Sequence, residues 1–485
     1  MRAGRSGVAA GLVAALLGVA GVTGCHGGPG ARRPSPGAAA SSPAVQFSPG
    51  AAGIGDPYYP TYGNGGYDVD HYHLELRYNP ADGRLDGYAV ITAAATQDLN
   101  RFNLDFGPLT VSELTVDGAA AAWRSDGVHE LVVSPAVGLV RGRQFTVAVR
   151  YAGVPGAGRH PGDDGFQRTA DGAVVAGEPE AATDWFPVND HPRDKATYDL
   201  AVTVPDGLTA VANGVLDGTE GHDGWTTWRW SEHAPMASYL ATVAIGRFRV
   251  QASVHNGLPV YTAVAVTLPA DRVDPVVART GEIVDFLATR FGPYPFDAIG
   301  AIVPDLGLDY ALEAQTRPVY ASRFFTANGD DDPDTILAHE LSHQWYGDSV
   351  SVSGWRDIWL NEGFATYAEW LWDEHEGRRS VRQSFDAAYA APSGSQTWRP
   401  VPGDPGVAGL FGGSVYLRGA MTLQALRVKV GDTAFFAILQ DWAQSRRYGN
   451  GTTADFVALA EQVAGRSLKT LFDTWLFKEA KPSHP

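Results

Sequence analysis

Residues 339–343 read HELSH, and this spacing ties the stretch to one local geometry. On a helix, residues four apart share a face, so His339 and His343 stand one turn apart and can hold one metal ion between their imidazoles. Glu340 lies beside them. Zinc in a catalytic site takes three protein ligands and keeps a fourth position for water, so a third ligand must come from elsewhere in the chain. Glu362, nineteen positions after His343, is the candidate. It falls in a second helical segment, Ile358 to His375, where Trp359, Phe364, Leu371 and Trp372 supply an apolar face for packing against the first helix. Trp345 and Trp355 read as core too. A lone HExxH match also fits a solvated helix face carrying two unrelated histidines. The acid at ligand distance, itself on a helix, favours a site for one zinc ion per chain.

The N-terminus predicts export. Arg2 and Arg5 form a basic start, and the apolar run from Val8 to Gly24 is of signal-peptide type, too short for a comfortable membrane span. It ends in Val22, Thr23, Gly24 and Cys25, which resembles a bacterial lipobox whose cysteine is lipidated. Cys25 is the one cysteine of the chain, so no internal disulfide forms and its thiol is available. The alternative is a secretory signal with an incidental cysteine; either way the protein leaves the cytoplasm. The sequence therefore divides into a signal peptide (1–24) and a Gly, Pro, Ala and Ser-rich tether (25–55), followed by two larger regions. Residues 56–248 alternate in segments such as YHLELRY, FTVAVRY and YDLAVTV, the pattern of an antiparallel sheet domain. Residues 249–485 turn mostly helical from Asp271 onward and contain every zinc-ligand candidate. The net charge of −17 argues against nucleic acid and an anionic membrane surface as partners, since both would repel the chain.

HELSHQWYGDSV followed by WLNEGFATYAEWLW resembles the M1 family of zinc aminopeptidases, the gluzincins that include aminopeptidase N and leukotriene A4 hydrolase. The likeness extends through Gly55 to Leu76, Met236 to Phe248, Phe291 to Asp305 and Ser414 to Leu423. It implies an α+β multidomain fold: an N-terminal antiparallel β saddle or sandwich domain, then a mainly helical, thermolysin-like zinc peptidase domain. It also implies roles. Glu340 would be the general base, and Tyr416, in SVYLRGA, would donate a hydrogen bond to the oxyanion; read alone, such a tyrosine would pack. Glu313 stands at the acid of the family's GxMEN segment, which here reads YALEA, with Tyr310, Leu312 and Ala314 at its glycine, methionine and asparagine. That departure bears on pocket shape. Glu178 aligns with a second anchor for a substrate's N-terminal ammonium, or is a solvated turn acid. Glu369, two turns beyond Glu362, would hydrogen-bond a zinc-ligating histidine, or is an exposed helix glutamate. Longer members append a helical domain over the site, so a chain ending at Pro485 implies a more open cleft.

Peptides with free N-termini are thus the expected partners, with membrane contact only through a lipid anchor at Cys25. A thermolysin-like endopeptidase is the alternative that the altered YALEA segment favours, and a non-catalytic peptide-binding surface protein is a third reading. Two smaller features have plain explanations. The acidic run from Gly329 to Asp334 lacks the spacing of a calcium loop and suits capping of the following helix and favourable interaction with its dipole. His71 and His73 share a strand face with no third ligand in view.

Overall fold

The computed structural model describes residues 46–156, 165–327 and 332–485. The signal peptide, Cys25 and the tether as far as residue 45 lie outside the described residues. Residues 46–55, placed within the tether from composition, belong to the fold. Ser48–Pro49 pair in parallel with the strand Leu99–Asp105, and the Gly50 N–H donates to the Arg101 carbonyl at 2.8 Å. Asp56 is buried, bonded to His191 Nε2 (3.1 Å) and to the Trp355 N–H (2.9 Å), which joins this segment to the second half of the chain.

The N-terminal half is built on an eight-stranded sheet. Its order is Val215–His222, Trp225–Ala237, Lys195–Pro205, Tyr67–Asn79, Arg84–Ala95, Gln144–Gly153, Thr110–Val116 and Ala119–Ala120. All pairs are antiparallel except Lys195–Pro205 with Tyr67–Asn79. Period-two alternation makes it one-sided: Leu74, Leu76 and Tyr78 are buried while Glu75 and Arg77 face solvent. Two four-stranded sheets accompany it, one formed around Leu99–Asp105 and Glu130–Ser134, the other around Ala173–Ala176 and Val243–Gly246. His71 and His73 sit in the large sheet as ordinary strand residues, His71 Nδ1 bonded to Thr197 Oγ1 at 2.8 Å.

The second half is less purely helical than its sequence pattern predicts. A five-stranded mixed sheet, in the order Phe248–His255, Leu258–Ala265, Ile299–Val303, Val319–Tyr320 and Ala311–Leu312, precedes and interrupts the helices. Its central strand Ile299–Val303 is buried at every position, so it shows no alternation to read. The short edge strand Ala311–Leu312 delivers Glu313. Helices follow, chief among them the HExxH helix (Pro333–His343) and the Glu362 helix (Trp359–His375). Trp359, Phe364, Leu371 and Trp372 are all at least 97% buried, and Phe364 packs on Tyr346 and Phe456 with ring centroids 4.6 and 5.3 Å away. Trp345 and Trp355 are core residues as well.

Of the acidic run, Gly329 to Asp331 lie outside the described residues, and Asp334 stands in the first turn of the HExxH helix, where a carboxylate suits the helix dipole. Asp332 occupies the cap position, yet its side chain makes no capping bond, and Pro333 supplies the preset φ of the first turn. Buried Asp334 instead accepts from Arg279 and from Arg378, the latter at 2.7 Å, fixing the start of the helix to two neighbouring segments. The Glu362 helix also crosses the helix Gly419–Val430 backbone to backbone. A Cβ added to Gly363 would lie 2.8 Å from the Gly419 Cα, so neither position has room for a side chain.

Candidate active site

The two principal helices meet at the ligand trio. Glu362 Oε2 lies 3.3 Å from His339 Nε2 and 3.6 Å from His343 Nε2. The other ring nitrogen of each histidine is occupied: His339 Nδ1 bonds Glu369 Oε1 at 2.5 Å, and His343 Nδ1 bonds the Tyr346 carbonyl oxygen at 3.0 Å. With a proton held at each Nδ1, both Nε2 lone pairs face the same point as the Glu362 carboxylate. The Glu369 contact is where the resemblance places it.

Electrostatics show what that point lacks. Burial opposes charge on His339, but hydrogen bonds to Glu362 and Glu369 outweigh it and raise its pKa well above the usual imidazole range. His343 is likewise pushed up to about 9, since Glu313 and Glu362 overcome its burial. The Glu362 carboxyl falls to about 2 despite burial, drawn down by His343 and His339. The cluster thus calls for positive charge at its centre. Two imidazoles and a carboxylate oxygen, all within 4.8 Å of one another, form a donor set that suits zinc and leaves a coordination position for water. Zinc fits these residues.

The remaining candidates surround the trio. Buried Glu340 offers an oxygen within 4.8 Å of ligand atoms of both Glu313 and His343. Burial pushes its carboxyl up to about 8, against the pull of His339 and His343. A dication among these groups would draw it down, as any cation does to a neighbouring carboxyl. Tyr416 lies in a turn of π-helix (Ser414–Arg418), a local widening frequent at functional sites, with its ring 6.1 Å from and nearly parallel to that of His339. Burial, reinforced by Glu362, Glu178, Glu313 and Glu340, holds its phenol protonated far above the ordinary tyrosine range. Glu178, Glu313 and Glu362 each place a carboxylate oxygen within 4.8 Å of the others. All eight side chains, Glu178, Glu313, His339, Glu340, His343, Glu362, Glu369 and Tyr416, line one cavity of about 430 Å³. Cys25 lies outside the described residues.

Several further residues complete the site. Gln344 accepts the Thr316 N–H at 2.7 Å and donates to the Glu313 carbonyl at 3.2 Å, so the residue after HExxH fixes the segment that presents Glu313. The Tyr239 hydroxyl reaches Glu313 Oε1 at 3.3 Å. Tyr310, in the altered segment, forms part of the cavity wall and donates its hydroxyl to the Ala176 carbonyl at 3.0 Å, bridging the two segments that deliver Glu313 and Glu178. Leu312, Phe324, Ile336 and Phe411 give the cavity an apolar side. Apolar residues such as Phe324, Ile336 and Phe411, scattered over loops and a helix flank, look like any others in sequence; the altered YALEA segment, which holds Tyr310 and Leu312, and the adjacency of Gln344 to the histidines offered the hints.

Comparison with known proteins agrees with this geometry. Residues 68–240 match the peptidase M1 N-terminal domain, and residues 282–475 match the peptidase family M1 domain. Aminopeptidase N of Streptomyces lividans is 26% identical over 444 residues, covering 84% of this chain and 50% of its own. Human glutamyl aminopeptidase is 26% identical over 317 residues, covering 61% of this chain and 33% of its own. The chain spans a third to a half of the length of these curated relatives. Among solved structures, an M1 zinc metallopeptidase from Deinococcus radiodurans superposes with a TM-score of 0.80 at 28% identity, covering 89% of this chain and 99% of that one. A mutant of that enzyme bound to a Tyr-Ser-Ala substrate gives 0.79 at 29% identity, with the same coverage. With a matching model for each half and the ligand trio assembled in the second, the chain belongs to peptidase family M1.

Proposed function

We propose that the protein is a zinc aminopeptidase that removes N-terminal residues from peptides outside the cytoplasm. The observation that carries this is the trio of carboxylate oxygens of Glu178, Glu313 and Glu362, gathered within 4.8 Å beside the histidines. Three carboxylates this close repel one another, and a substrate's ammonium relieves that repulsion where an internal peptide segment would not. An endopeptidase has no use for such an arrangement.

Zinc held by His339, His343 and Glu362 would polarise the scissile carbonyl and acidify a water molecule. Glu340 takes the proton from the attacking water and returns it to the departing amine nitrogen. The Tyr416 phenol, kept neutral by its surroundings, donates to the carbonyl oxygen as negative charge develops there. Glu369 holds the proton on His339 Nδ1 and so aims Nε2 inward. Glu178 and Glu313 hold the ammonium and set which peptide bond reaches the water.

The test is a comparison of aminoacyl peptides with their N-acetylated versions. Glu313→Ala is expected to lower kcat/KM on free N-termini on the order of 100-fold, the scale of lost substrate positioning, while leaving the poor cleavage of acetylated peptides nearly unchanged. Equal loss on both would make Glu313 structural. Rapid cleavage of acetylated peptides by the unaltered enzyme would point to an endopeptidase.

For location, the proposal is a lipoprotein anchored through Cys25, supported by the apolar run and the VTGC sequence that closes it. Cys25→Ser should release the enzyme into the medium or block its processing, as read by membrane fractionation, because no thiol remains to carry lipid. Unchanged fractionation would leave the secreted alternative.

A further inference from the structure

A second gathering of ligand-type side chains lies in the N-terminal half, outside the cavity just described. Asp105 closes the strand Leu99–Asp105, and Glu130, which opens Glu130–Ser134, stands directly opposite it in the antiparallel ladder. His129 precedes Glu130. The three each bring a ligand atom within 4.8 Å of the others. Asp105 is wholly buried: Oδ2 accepts the backbone N–H groups of Gly63 (3.1 Å) and Asp190 (2.8 Å), while Oδ1 has no hydrogen-bond partner. Two residues earlier on the same strand face, Asn103 is 6% exposed and its Oδ1 is unpartnered too. The Thr61 carbonyl lies 3.1 Å from His129 Nε2, which places the ring proton there and leaves Nδ1 its lone pair.

The charges around this point are of one sign. After burial, what most raises the Asp105 pKa is the nearness of Asp190 and Glu130. Glu130 is itself pushed up to about 7 by burial, as is Asp190. The phenol of Tyr62, stacked on the His129 ring at 4.2 Å, is held protonated by burial and by Glu180, Asp190, Asp105 and Asp184. Buried carboxylates crowded in this way need a cation or a proton to share. A fully buried aspartate that has one unpartnered oxygen and offers a ligand atom within 4.8 Å of those of an imidazole and a second carboxylate is what a metal ion satisfies.

We propose that Asp105, His129 and Glu130 bind a second divalent cation, structural in role, which fastens the end of Leu99–Asp105 to the hairpin strand beginning at Glu130. One imidazole with two carboxylates suits an ion of the zinc or manganese class, with water completing the coordination, while the Asn103 side chain hydrogen-bonds the Glu130 carboxylate.

The experiment is elemental analysis of the full-length protein after loading with zinc or manganese and exhaustive dialysis. Two ions per chain are expected for the unaltered protein. Glu130→Gln and His129→Gln should each retain one ion and full peptidase turnover, melt at a lower temperature, and lose the rise in melting temperature that added zinc or manganese gives the parent. Should these variants fold poorly, His343→Ala decides independently, because it removes the other ion and should still hold one. One ion in the unaltered protein, two in Glu130→Gln, or none in His343→Ala would each overturn the proposal and leave shared protons as the relief for these acids.

Discussion

Glu340→Gln is expected to keep its fold and its metal and to lose 10²- to 10⁴-fold in kcat, the range assigned to a positioned general base. The amide preserves the shape of the carboxylate within its buried setting but cannot accept a proton from water. Since Glu340 is not among the three groups that converge on the metal position, zinc content by elemental analysis should match the parent. Turnover within a few-fold of the parent would remove Glu340 from the reaction.

His343→Ala should abolish activity by a different route. It leaves His339 and Glu362, and two ligands do not hold a catalytic ion against dilution, so the total per chain should fall by about one ion. The loss should also appear in stability measured with and without chelator. The parent should melt lower after chelation because the ion stabilises only the folded site, and the variant should show a smaller response, limited to what the ion near Asp105 contributes. If elemental analysis found the metal undiminished, the ligand assignment would be wrong. These two variants separate chemistry from metal retention: both are inactive, but only one is depleted.

Some of this site is legible in sequence because helical periodicity is. A four-residue interval and an acid on the next amphipathic helix define a geometry without knowledge of the rest of the fold, and His339, His343 and Glu362 meet as that interval requires. Glu313 and Glu178 were reached only through family resemblance. One follows a two-residue edge strand and the other lies in a loop, and no periodicity relates such elements. The apolar wall of Phe324, Ile336 and Phe411 left no trace, because which side chains face a cavity depends on the path of the chain between elements. The mixed sheet of the second half escaped for a related reason. Its inner strands Ile299–Val303 and Val319–Tyr320 are short and buried throughout, and hydrophobic alternation disappears when neither side meets water. The acidic run was half read: Asp334 lies in the first turn, where a carboxylate suits the helix dipole, yet no cap bond forms and two arginines distant in sequence claim its carboxylate.

The crossing of Gly363 and Gly419 sets a limit on how such an enzyme can diversify. Gly363 directly follows the metal-ligand candidate Glu362, and Gly419 lies three residues after Tyr416, so the separation of carboxylate and phenol is governed by how closely two backbones approach. Residues that fill space, such as Phe324 and Phe411, can be exchanged for larger or smaller ones as a lineage drifts toward new substrates, and a neighbour can take up the difference. A position that contributes no side chain offers no such trade. One methyl group on either glycine would move the metal-ligand carboxylate and the phenol apart together with the segments that carry them, and no compensating substitution can make a main chain thinner.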